Sequence, residues 1–158
     1  MTDKAAQIDP IRRRRGLLAM ALAWLFPGAG HWYVGARHRA FVFAALVLLT
    51  VGLGLACDGN LAVVDGARAP VLTTLQAAGN LALGPVDPLL RTGLYGMPIY
   101  RAGPQARMSE PRTRALEHRR ERSFRLFSAY GSAYLIAAGL MNLLLILDAW
   151  DLAIGRKS

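Results

Sequence analysis

The sequence predicts an all-α integral membrane protein, and three observations carry that expectation. Residues 40–57 run without a charged side chain, and so do residues 126–147. About 20 helical residues at 1.5 Å each cross a hydrocarbon core of about 30 Å, so both runs are long enough to span. The chain is 54% hydrophobic yet carries a formal charge of +9. A soluble domain scatters such charges, whereas here arginines gather at Arg12–Arg15 and between Arg101 and Arg125, outside the apolar runs. Basic residues flanking spans on the cytoplasmic side are a commoner cause of that balance than nucleic-acid binding, which is not expected.

Taken in order, residues 1–16 are a basic N-terminal tail, expected to be disordered up to the membrane surface, with Asp9-Pro10 as a turn or helix-start signal. Residues 17–57 read as a kinked transmembrane hairpin. Its first segment, 17–35, is broken at Pro27-Gly28-Ala29-Gly30, because proline removes a backbone donor and glycine weakens the helix. Only ten apolar residues precede the break, which also fits a re-entrant element. The basic start and short apolar stretch resemble a secretory signal, but His31-Trp32-Tyr33 and a second apolar run follow at once, so the segment is expected to be retained. Arg37-His38-Arg39 reads as a basic turn before the span at 40–57.

Residues 58–128 open with two Asp-Gly turn signals, Asp58-Gly59 and Asp65-Gly66, which suit a loop with a small hairpin. Residues 71–90 form a weak membrane segment. It is uncharged up to Asp87 but interrupted by Gln76, Asn80, Gly84, Pro85 and Pro88, so it either inserts among the other helices or lies at the surface. Residues 91–110 are loop-like, and Ser109-Glu110-Pro111 starts a basic cytoplasmic helix over 110–127. Residues 129–158 hold a transmembrane helix at 129–147 and a short tail, with Asp148-Ala149-Trp150-Asp151 at the membrane exit.

Two topologies fit. In one, 17–35 and 40–57 both cross and 71–90 lies at the surface. In the other, 17–35 is re-entrant, 40–57 crosses and 71–90 crosses back. Both place the N-terminus and residues 91–128 in the cytoplasm and the C-terminus outside. The second also gathers Arg37 and Arg39 with Arg12–Arg15 on one side, as the charge bias prefers.

The stretch PGAGHWYVGARHRAFVF resembles the motif of the two-transmembrane-helix domain family, with Pro27, Gly28, Gly30, His31, Trp32, Tyr33 and Gly35 at the matching positions. The C-terminal AGLMNLLLILDAWDLAIGRK extends the resemblance to a narrower bacterial family of small membrane proteins of unknown function. The departures are Trp32, where Phe or Leu is the expected residue, and a longer basic helix at 112–125. The resemblance implies membrane placement with the turn between the helices on the cytoplasmic side, and it brings no enzymatic activity.

Few residues suggest chemistry. His31 follows the break and suits a metal, an anion or a proton relay, but a metal needs three or four ligands and only His38 is near. The favoured role is a hydrogen bond to a carbonyl freed at Pro27. In the last span Gly131, Ala138, Asn142 and Ala149 share one face. Small residues let helices approach, and an intramembrane Asn bonded across helices contributes roughly 0.6–2 kcal/mol. Asp148 and Asp151 form a polar pair at the exit, with Arg156 or lipid headgroups as partners. Arg112, Arg114, Arg119, Arg120, Arg122 and Arg125 make a surface for anionic lipid or an acidic partner, at about 1 kcal/mol per charge near the membrane. Cys57 is the single cysteine, which excludes an internal disulfide and a Cys-based metal cluster. No G-x-S-x-G elbow, H-E-x-x-H pair or P-loop appears, so no cofactor and no catalysis are expected.

The expected function is that of a small bacterial inner-membrane protein, multi-pass with its N-terminus in the cytoplasm, acting as an accessory or scaffolding component. Its expected partners are anionic headgroups, further copies of itself or another membrane protein. A transporter or channel subunit using His31, Asn142 and Asp148 is the alternative; an intramembrane enzyme is a weaker one.

Overall fold

The computed structural model describes residues 9–64, 70–101 and 128–156. Six helices account for most of them: α1 (Pro10–Leu25), α2 (Ala29–Val34), α3 (Arg37–Ala56), α4 (Pro70–Leu81), α5 (Val86–Tyr95) and α6 (Ser128–Ala153). Among the described residues there is no strand, only a single parallel bridge between Val64 and Arg101.

α1 starts where Asp9-Pro10 signals it. The Asp9 carboxylate accepts from Ile11 N at 3.0 Å and Pro10 occupies the first turn, where its missing donor is not needed. Arg12–Arg15 therefore ride on the helix, and the tail reading fails from Pro10 onward. The helix stops at Phe26, which Pro27 forces into extended backbone (φ −148, ψ 128). Gly28 then takes a left-handed conformation (φ 87) and the chain reverses into α2.

The packing shows where each helix points. Gly16 faces Trp150 and Ile154, while Ala23 lies beside Asn142, so α1 and α6 are antiparallel. α2 comes back along α1: Gly30 sits against Ala19, Ala23 and Ala149, and His31 reaches Asp148. Thus α1 and α2 form a helical return that enters and leaves at one end of the molecule. α3 then runs its full 20 residues, about 30 Å, to the other end, where Gly54 and Gly59 meet Gly131. The basic triplet lies inside the first turn of α3, and the actual turn is Gly35-Ala36. α1 packs mainly on α6, and within 17–57 it is α2 that packs on α3.

The segment 71–90 is not one helix. α4 ends at Leu81, Gly84 is left-handed (φ 65), and α5 starts at Val86 and continues to Tyr95, through the start of the expected loop. At 12 residues, about 18 Å, α4 is too short to cross a bilayer. Gly79 lies by Ile136 and Leu140, and the Ala82 carbonyl by Asn142, so α4 runs parallel to α6 from the far end toward its middle. α5 returns, and its Tyr95 hydroxyl donates to the Leu61 carbonyl at 3.1 Å, beyond the exit of α3. This is a second return, entering from the end opposite the first. The tips meet: Trp24 Nε1 donates to the Leu81 carbonyl at 3.3 Å, and Gly84 rests on the Trp24 carbonyl.

The molecule therefore repeats one plan, a broken helical return and a long helix, in two opposite directions. One consequence overturns the sequence-based topologies. The N-terminus of α1 and the C-terminus of α6 share an end, with Arg12–Arg15, Arg37, Arg39 and Arg156, while Arg101 and Ser128 lie at the other. Both topologies had placed residues 91–128 beside the N-terminus and the C-terminus opposite. Each fails where an expected crossing is a return: the first topology at 17–35, where α2 comes back along α1, and the second at 71–90, where the break at 82–85 reverses the chain. The first return agrees with the re-entrant reading of 17–35. The small hairpin expected within 58–70 falls in part on residues 65–69, outside the described residues; Val64 pairs with Arg101.

Candidate functional site

Three polar clusters lie inside a molecule whose interior mixes alanine and glycine with larger apolar side chains such as Val47, Leu83 and Leu135. The first sits where the tips of the returns meet α6. Helix ends leave carbonyls without intrahelical donors. The Ala23 carbonyl is the one that Pro27, lacking an N–H, cannot satisfy. Asn142 Nδ2 lies 3.5 Å from it and donates to the Ala82 carbonyl, at the second break, at 2.7 Å. One carboxamide thus serves both breaks. His31, expected to hold a carbonyl freed at Pro27, does not; Asn142 is placed there instead. Asn80 is fully buried beside this junction, and neither its side-chain atoms nor Asn142 Oδ1 find a partner among the described residues.

The second cluster is His31 with Asp148. His31 is fully buried, its Nε2 is 3.1 Å from Asp148 Oδ2, and its ring meets Phe43 edge-on at 5.0 Å. Nδ1 has no partner among the described residues. Asp148 lies within α6, five residues before its end, so the expected exit at Asp148–Asp151 is helical. Asp148 faces His31, and Asp151 lies 3.8 Å from Arg156, the basic residue expected as a partner.

The third cluster was missed. Asp87 and Arg91 are both fully buried, and Arg91 Nε donates to both carboxylate oxygens at 3.1 and 2.9 Å. Its Nη1 donates to the Ile99 carbonyl at 2.6 Å and Nη2 to the Ala62 carbonyl at 3.0 Å, while the guanidinium stacks 4.4 Å from the Tyr100 ring centroid. One arginine so ties α5 to both neighbouring extended segments. Asp87 gains from its place in the first turn of α5. Burial, then the Asp87 carboxylate, pushes the Tyr100 phenol above its usual range. An i, i+4 acid–base pair is a legible helix signal, but Pro88 and Gly93 around it read as loop.

The remaining predicted residues fall as follows. Gly131, Ala138, Asn142 and Ala149 all lie on the buried face of α6. Pro27, Gly28 and Gly30 are buried in the first return, Gly35 caps α2 in a left-handed conformation (φ 97), and Trp32 and Tyr33 are exposed. Arg112, Arg114, Arg119, Arg120, Arg122 and Arg125, with the basic helix at 110–127, lie outside the described residues. Among the described residues no three His, Cys, Asp or Glu side chains converge as a metal site would require.

The chain belongs to a family of unknown function, DUF6677, whose model matches residues 18–158. No curated protein and no solved structure matches the chain.

Proposed function

We propose that this family member is an integral protein of a bacterial inner membrane, without catalysis of its own, that serves as an accessory or scaffolding component. The observation that carries the membrane reading is an inside-out distribution of side chains. α3 and α6 are the two described helices long and apolar enough to cross, and only 22% and 33% of their apolar windows are buried. A core helix of a soluble protein would be mostly covered. Leu48, Leu49 and Leu53 of α3 and Leu143, Leu144 and Leu147 of α6 point outward, and so do Leu17, Leu18, Trp24 and Leu25 of α1. Inside are Ala19, Ala23, Ala138 and Ala149 with the polar clusters, as close-packed helices in lipid require. Broken helices at membrane depth need their freed carbonyls satisfied by protein, and Asn142 supplies that.

The first basic flank usually dominates orientation, and Arg12–Arg15 with Arg37 and Arg39 favour this end in the cytoplasm, which puts Arg101 and Ser128 on the outer side and reverses the expected cytoplasmic placement of 91–128. The P-G-x-G-H-x-Y motif supports kinship with the wider two-transmembrane-helix family. Cys57, at the far end, tests the arrangement in the native chain. The expected result is carbonate-resistant membrane association, with Cys57 reached by an impermeant maleimide on intact spheroplasts. Release by carbonate refutes the membrane reading; labelling only after lysis reverses the orientation.

One observation favours a second reading, a transport or channel subunit. Inverted repeats with discontinuous helices meeting at mid-depth are a common plan among transporters, and Asn80 and Asn142 carry unpartnered polar atoms at that junction. Asn142→Leu separates the two. Because Asn142 bonds within the chain, a stability loss of roughly 0.6–2 kcal/mol is expected under both; altered flux in the protein that remains folded supports transport, and unaltered flux supports scaffolding.

A further inference from the structure

An open groove of about 530 Å³ lies between α1, α2 and α3, within the size range of ligand sites. Its walls are almost wholly apolar, formed by Leu22 and Phe26 from α1, Pro27 at the break, Trp32 from α2, and Phe41 and Ala44 from α3. Trp32 and Phe41 meet edge-on at 5.1 Å and frame its mouth. No acidic side chain lines it. One edge is basic: the Arg37 guanidinium stands 5.7 Å from the ring centroid of Trp32, which lines the groove, at the first residue of the first turn of α3. That turn is the N-terminus of a 20-residue helix with no acid in it and no side-chain cap, so its dipole adds to the attraction for an anion. From Arg37 to Ala44 the groove descends about 10 Å along α3, the direction a chain takes on leaving a headgroup.

We propose that this groove is a lipid site: one acyl chain of an anionic phospholipid lies against Phe26, Pro27 and Phe41, and its phosphate is held at Arg37. The assignment rests on the membrane reading above and adds to it a bound ligand with a defined head and tail. An anionic headgroup is complementary in charge to Arg37 at the groove's edge, and an uncharged occupant is not. The rim charge also disfavours a second copy of this chain, which would bring the same arginines to the same end.

The test mixes detergent-solubilised protein with equal amounts of phosphatidylglycerol and phosphatidylcholine of one acyl length and reads retained lipid by native mass spectrometry. The expected result is one retained lipid per chain, with phosphatidylglycerol at least about fivefold in excess. Arg37→Gln should cut that excess about fivefold, the effect of one interfacial charge. Phe41→Ala should reduce retention of both lipids. Arg156→Gln, a charge removed at the same end but away from the groove, should change neither, and unchanged helical circular dichroism shows that the variants are folded. Equal retention of the two lipids by the wild type overturns the headgroup contact, and retention indifferent to Phe41→Ala overturns the groove. A lipid-free dimer split by Phe41→Ala gives the groove to a second copy and overturns the proposal. Carbonate extraction keeps the two levels apart: a chain that stays in the membrane but retains no lipid refutes the site alone.

Discussion

The two helical returns solve one problem with different chemistry. Each has a left-handed glycine at its tip, Gly28 and Gly84, and a buried ionisable side chain three residues later, His31 and Asp87. Each closes with a left-handed glycine, Gly35 and Gly96. The partners differ. His31 reaches 117 residues along the chain to Asp148 on α6, so the first return is held by a long helix. Asp87 finds Arg91 one turn away, and Arg91 spends its other donors on backbone carbonyls of Ile99 and Ala62. A buried ionisable side chain can thus find its partner locally, which leaves the element to be anchored through its backbone neighbours. Alternatively it can find its partner across the fold, which makes one contact both partner and anchor.

The largest test of that difference is Arg91→Leu. It strands a fully buried Asp87 and frees two carbonyls, and should cost about 3–5 kcal/mol of stability in detergent unfolding. The double substitution Asp87→Leu/Arg91→Met should recover part of the loss, with the Ile99 and Ala62 carbonyls still lacking a donor. Full recovery would show that the backbone contacts contribute nothing.

The glycines sharpen the likeness. A Cβ on Gly28 would overlap the Ala40 carbonyl, and one on Gly84 the Trp24 carbonyl, whereas Gly35 and Gly96 face open space. Alanine at the closing positions should cost only the left-handed strain, about 1–2 kcal/mol. At either tip it should cost more, because backbone must also move. Equal melting-temperature losses at Gly84→Ala and Gly96→Ala would mean that the tips are not in contact.

Next in size is the first return. His31→Ala leaves the partly buried Asp148 without that partner, a loss of about 1–3 kcal/mol. A double-mutant cycle with Asp148→Ala should show coupling of about 0.5–3 kcal/mol. The same cycle between His31 and Arg91 should show none, since the two side chains have separate partners.

The smallest effect is a titration. The raised phenol of Tyr100 keeps its proton where an ordinary tyrosine, with a pKa near 10, begins to lose it. The folded state therefore binds the proton more tightly than the unfolded state. The associated stability is complete below about pH 10 and declines as pH rises through the folded value. Phenolate absorbance of wild type against Tyr100→Phe reads this directly, and a late-titrating phenol missing from the variant is the expected result.

Much of this was legible in the chain. The apolar runs became α3 and α6, Asp9-Pro10 started α1, and Pro27–Gly30 marked a break, because each rests on local rules of length, capping and missing donors. The buried face of α6 could be read from the spacing of Gly131, Ala138, Asn142 and Ala149. The second return was hidden. Gln76, Asn80, Gly84 and two prolines signal a poor span, but that signal is the same for a surface helix, a crossing and a return. The partner of His31 was out of reach too, since nothing local joins it to Asp148.

The sequence alone determined the two long apolar helices, the break at Pro27–Gly30 and the buried face of α6, since these follow from backbone chemistry and side-chain period within a few residues. Tertiary structure decided the direction of each element after its break, and so which ends of the chain share a side. It also decided that Asn142, and not His31, fills the vacancy at Pro27. A freed carbonyl takes the nearest donor in space, and that donor lies more than a hundred residues away.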